Sequence, residues 1–216
     1  MTTSRRALLE GTAWAAPAVL ATAAIPAYAA STPSVVAHGS TTEITLENTV
    51  SGASGRVSGS AVSSTDPAGF RLYRTSGTAT TATISALTYY IAFPKNQGWT
   101  VDMVKHNFDL VDTAWTAFGL ARDASIATAD GQVLTAADYT FYSVSYSTLP
   151  ITNYAVGGQA DSLPVDRSTI NADIAITSGD PAAVAGIYAG YVATYAVDGG
   201  SAATASTVSP AAISVR

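Results

Sequence analysis

The chain has 216 residues, with ten lysines and arginines against fifteen aspartates and glutamates, a net charge of −5, and no cysteine. The missing cysteines exclude disulfides, thiolate metal sites and cysteine nucleophiles. A thinly charged, acidic chain also lacks the clustered Lys and Arg that a nucleic-acid surface or a polybasic membrane patch requires.

The first segment reads Met1-Thr-Thr-Ser-Arg-Arg-Ala-Leu-Leu-Glu10, with Arg5 and Arg6 adjacent. An Ala-rich apolar stretch follows from Thr12 to Ile25, interrupted by Pro17, and the segment closes on Pro26-Ala27-Tyr28-Ala29. The apolar run, about 14 residues, is shorter than the ~20 needed to span a bilayer. A basic start, a short apolar middle and a small-x-small exit at Ala27 and Ala29 form the pattern of a cleaved signal peptide. Residues 1–29 are therefore expected to be removed, leaving a mature chain of 30–216. The run Ser4-Arg5-Arg6-Ala7-Leu8-Leu9 resembles the twin-arginine class of export signals, departing at Glu10, where a lysine is usual. With Trp14-Ala-Ala-Pro17, the segment resembles the leaders of secreted proteins from high-GC Gram-positive bacteria. The resemblance implies export, with the mature protein secreted or held non-covalently at the cell wall. Without Arg5, Arg6 and Glu10, eight basic and fourteen acidic residues remain, a net charge of −6.

The body is rich in Ala, Thr, Ser, Val, Gly and Tyr, which suit a pleated, half-buried surface. Ile44 and Leu46 alternate with Glu43, Thr45 and Glu47, the mark of a strand with one buried face. Residues 47–63 are small and polar, read as a weak edge strand or a long loop. Val101, Val104, Phe108, Val111, Trp115 and Phe118 fall at helical spacing. The threonines among them are poor helix formers, so strands are preferred to one short helix around 101–118. Tyr139 and Phe141 share one face, then Tyr142, Val144 and Tyr146 the other. Leu149-Pro-Ile-Thr-Asn153 is read as a turn. Ile170, Ala172, Ile174 and Ile176 keep step two, as do Ile187, Ala189, Tyr191, Ala193, Tyr195 and Val197, and Ile213 to Arg216 read as a last strand. Turns are expected at Asp66-Pro67, Ser76-Gly77, Pro94 to Gly98, Asp130-Gly131, Gly157-Gly158, Asp180-Pro181 and Asp198-Gly-Gly200.

Many strands divided by such turns predict an all-β fold, an antiparallel β-sandwich. No Pro-rich or charged linker divides 30–216, so a single domain is expected, with two small β domains as the alternative. Thr42 to Thr49, Tyr90-Ile-Ala-Phe-Pro94 and Leu134 to Phe141 resemble, in order, strands of the Ig-like conserved-repeat sandwiches of bacterial surface proteins. That resemblance implies a structural or adhesive module.

Chemistry has few candidates. The two histidines, His38 and His106, have no metal-ligand partner at suitable spacing. No G-x-S-x-G elbow supplies a serine nucleophile. Glu43 and Glu47 point the same way along one strand, read as a polar strand face rather than a hydrolase pair. No cofactor is expected; calcium would have to use loop aspartates such as Asp109 and Asp112, or Asp161 and Asp166. Trp99 and Trp115 are the candidate ligand-binding residues, since exposed indoles and tyrosines stack on sugars. The leading expectation is a non-catalytic secreted or cell-surface protein whose partner is an envelope glycan or another surface protein. The alternatives are a carbohydrate-binding module and an extracellular hydrolase. Nucleic acid and a membrane span in the mature form are not expected.

Overall fold

The computed structural model describes residues 35–39, 43–49, 52–59, 69–78, 81–105, 115–116, 119–159, 161, 165, 170–178 and 180–215. The leader with Arg5, Arg6, Ala27 and Ala29 lies outside the described residues, as do His106, Asp109, Asp112, Asp166 and the Asp66-Pro67 turn.

The described residues form strands and one 3-10 turn, Pro181–Ala183. The larger sheet runs β14 (Ala202–Ser206), β13 (Tyr188–Val197), β5 (Thr81–Pro94), β10 (Tyr139–Ser145), β7 (Gly119–Leu120). In addition, β11 (Ile151–Ala155) pairs with β5, and β15 (Ser209–Pro210) with β13. The second sheet runs β16 (Ala212–Val215), β2 (Glu43–Thr49), β3 (Gly52–Gly59), β12 (Ile170–Ser178), β6 (Thr100–Lys105). Two ribbons complete the set, β1 (Val35–Gly39) with β4 (Phe70–Arg74), and β8 (Ser125–Ala127) with β9 (Val133–Thr135). All pairings are antiparallel except β16 with β2, so the last strand lies parallel to an early one.

The alternation explains the layering. In β13, Ala189, Tyr191, Ala193 and Tyr195 are buried on one face, where they meet Tyr89, Ile91 and Ile84 of β5 and Val144 of β10. The same core contains Ile44 and Leu46 from β2 and Ile174 from β12. The two sheets therefore close over one apolar interior, the arrangement of an all-β sandwich. Tyr89 and Tyr191 are at its centre, with ring centroids 5.0 Å apart, edge to face, the preferred geometry for aromatic pairs. The opposite face of the larger sheet carries a smaller core. Phe141 and Ala92 pack there under Ile126 and Leu134 of the β8–β9 ribbon, with Val208.

A bulge adjusts β5 to both layers. Pairing with β13 slips between Tyr195↔Ile84 and Thr194↔Ala86. Ala82 and Ile84 face the main core before it, and Leu87, Tyr89, Ile91 and Phe93 after it. One inserted residue switches the buried parity, so a 14-residue strand can keep its apolar side inward.

One alternative is decided and one expectation needs correction. Over the described part of 101–118 the preferred strand reading holds, and the alternative short helix is absent there. Thr100–Lys105 is strand β6, and Trp115 forms an isolated bridge with Tyr146. The β-branched residues at 100, 101 and 104 take the pairing that β12 offers, and tertiary pairing overrides the helical spacing. Residues 52–59, read as an edge strand or loop, form β3 between β2 and β12 in the sheet interior. Regular ladders on both sides hold a strand that its own small residues would not specify.

Candidate binding surface

Trp99 is 4% exposed and Trp115 6%. Trp115 stacks edge to face on Tyr146 at 5.1 Å and lies against Tyr191 at 6.2 Å. Both indoles belong to the main core. Trp99 also contributes to a shallow depression of about 320 Å³ with Phe93 to Gln97 and Thr140, but as buried floor. A stacking platform needs an open ring face, and neither indole presents one.

His38 sits in β1 directly across from Arg71 of β4. Partial burial, and then the neighbouring Arg71 charge, hold its pKa below the usual histidine value. Arg71 is 7% exposed. The Leu72 N–H on the same strand donates to the Tyr154 hydroxyl at 3.3 Å. Burial pushes the Tyr154 pKa up, against smaller lowering effects of that bond and of Arg71. The cluster ties the β1–β4 ribbon to β11. Among the described residues, no three His, Asp or Glu side chains gather as metal ligands. Asp161 is exposed, and Glu43 and Glu47 occupy β2 positions alternating with buried Ile44 and Leu46.

The larger sheet ends at β14, and here the backbone offers a surface. Its pairing with β13 is regular, from Val192↔Ser206 to Ala196↔Ala202. The Thr207 N–H donates to the Tyr191 carbonyl at 2.8 Å. Hydrogen-bonded pairs alternate along an antiparallel ladder, so Ala205 and Ala203 bond inward to β13. The N–H and C=O groups of Ala202, Thr204 and Ser206 then point out of the sheet. The hydroxyls of Thr194 and Thr204, 3.3 Å apart, agree with a close non-hydrogen-bonded pair there. Residues 201–204 are exposed, and among the described residues no strand pairs with this edge.

The other ends of the two main sheets are blunted by familiar devices, while β1 and β11 also pair on one side only among the described residues. Strand β7 has two residues; β6 carries Asp102 and Lys105 and has two register shifts against β12; β16 is four residues long, with Pro210 before it and Arg216 after it. Strand β14 has no charge, no proline and no bulge. Beside it, on the outer face of the sheet, lies a groove of about 200 Å³ lined by Tyr90, Val192, Thr204, Ser206, Ile126 and Ala127. Sequence reasoning placed only the Asp198-Gly-Gly200 turn here and missed this edge. The signal that would have found it is an uncharged, Pro-free run after the Asp198-Gly-Gly200 turn.

No protein-family model, curated protein or solved structure matches this chain.

Proposed function

We propose that the chain is exported by its twin-arginine-type leader, cleaved after Ala29, and works outside the cytoplasm as a non-catalytic β-sandwich that associates by strand addition. The observation that carries this reading is the open, uncharged, regular edge of β14. Main-chain groups supply affinity in this mode and an adjoining pocket supplies selectivity; both elements are present side by side. The leader pattern and the acidic mature body support export and solubility in that compartment.

Two experiments test the reading. A reporter fused behind residues 1–35 should leave the cytoplasm of a bacterium with a twin-arginine system, and Arg5→Lys with Arg6→Lys should stop it. The purified mature chain, residues 30–216, should be retained on envelopes of the producing cell, and Thr204→Pro should release it. Retention on a defined insoluble polysaccharide, reversed by soluble sugar and unaffected by Thr204→Pro, would replace this reading with sugar binding.

A further inference from the structure

Resting on the reading of β14 as the association edge, we infer that its partner is β14 of a second copy, paired antiparallel about a two-fold axis at Thr204. The sequence of the edge is self-complementary. With Thr204 opposite Thr204 of the second copy, Ala203 meets Ala205 and Ala202 meets Ser206, each pair small and uncharged. Side chains of this size let two strands approach at normal sheet spacing without a clash or a repelled charge.

The number of hydrogen bonds favours the same register. Ala202, Thr204 and Ser206 direct their backbone groups outward, as argued from the Thr207–Tyr191 bond. A two-fold axis at Thr204 brings these three residues opposite Ser206, Thr204 and Ala202 of the other copy. All three become hydrogen-bonded pairs, giving about six interchain bonds. An axis moved by one residue, to Ala203 or Ala205, still sets outward groups opposite outward groups but keeps only two such pairs, about four bonds. The contact is isologous and closes at two. It joins the two larger sheets into one continuous sheet across the pair.

The groove of Tyr90, Ile126 and Val192 adjoins this contact on the outer face, on the same side as the Thr204 and Ser206 side chains. The β8–β9 ribbon that forms its far wall packs over the neighbouring strands through Ile126 and Leu134, and residues 202–204 of β14 stay exposed.

Sedimentation velocity of the mature chain across concentration tests the inference, with amide exchange as a check on fold. The expected result is a reversible monomer–dimer equilibrium with a dissociation constant on the order of 10–100 μM, suited to a small, mostly main-chain interface. Thr204→Lys places two like charges on the axis and should weaken the dimer roughly tenfold or more. Thr204→Pro removes an outward donor and should abolish it. Both changes leave the inward main-chain bonds of β14 intact and remove only the exposed Thr194–Thr204 hydroxyl contact, so the melting temperature should stay near that of the wild type. Ser85→Lys, on an exposed position of β5, should dimerise normally. A monomer at every concentration up to roughly 500 μM, a dimer unaffected by both Thr204 changes, or growth beyond two copies would each overturn the two-fold pairing. Envelope retention that persists in a strictly monomeric wild type would sink this inference while leaving the proposed function standing. A dimer without envelope retention would do the reverse.

Discussion

Gly190 occupies a backbone conformation that other residues avoid, φ +151°, and a Cβ there would meet the Thr207 carbonyl oxygen at 2.6 Å and the Val208 Cα at 2.7 Å. Gly190→Ala is therefore expected to cost on the order of 3 kcal/mol from backbone strain and overlap together, read as a lowered urea midpoint with an unchanged slope. The step-two pattern runs through this glycine without interruption, so the sequence carries no sign of the crossing chain. His38 gives a pH dependence of known sign. Burial and Arg71 depress its folded pKa, so the unfolded chain binds the proton more readily. Stability is full above the ordinary histidine value near 6.5 and falls as pH drops from there through the folded pKa. His38→Gln should remove this slope from denaturation measured between pH 7 and pH 5. Trp99 and Trp115 mark the limit of reading single residues. An aromatic ring serves a core and a sugar platform equally well by type, and only the closing of one sheet on the other decides between them.

Alternation makes strands the most legible elements. The parity change between Phe141 and Tyr142 is read directly from sequence and matches the two cores that β10 touches. Strand β13 likewise buries the expected Ala189, Tyr191, Ala193 and Tyr195. The element misread as an edge or loop is β3, whose place in the sheet interior depends on partners distant in the chain. Strand β3 is held by β2 and β12, and its small residues do not reveal such neighbours. The Leu149–Asn153 turn is partly strand, since Ile151 already pairs with Ile84 in β11. The β8–β9 ribbon depends on a few side chains. Its Asp130-Gly131 turn is closed by the Thr128 N–H, which donates to the Gln132 carbonyl at 2.8 Å, and Leu134 is fully buried beneath it. Leu134→Ala should cost about 2–5 kcal/mol and speed amide exchange first over 125–135, where the ribbon has little else to hold it.

For the whole molecule, the all-β class follows from composition and period, because a chain of Thr, Val, Tyr and Ala in step two can bury one side of each strand only by facing sheet to sheet. Sheet order and the parallel β16–β2 pairing were not legible, since they follow from chain crossings and not from local pattern. The association surface was hidden for a related reason. Strand edges are properties of the assembled sheet, and β14 becomes an edge only when β13 has taken its place beside β5. Among the described residues, β14 is the one end of the two main sheets that is regular, uncharged and longer than two residues without a neighbouring proline or charge, which is why the proposed association is placed there. The most direct test follows the amide protons of Ala202, Thr204 and Ser206 by NMR exchange as the mature chain is concentrated. These N–H groups should exchange rapidly in dilute solution and become protected together as concentration rises, while those of Ala203 and Ala205 stay protected throughout. Equal protection of all five at every concentration, or rapid exchange of the three outward amides even in concentrated solution, would contradict the account.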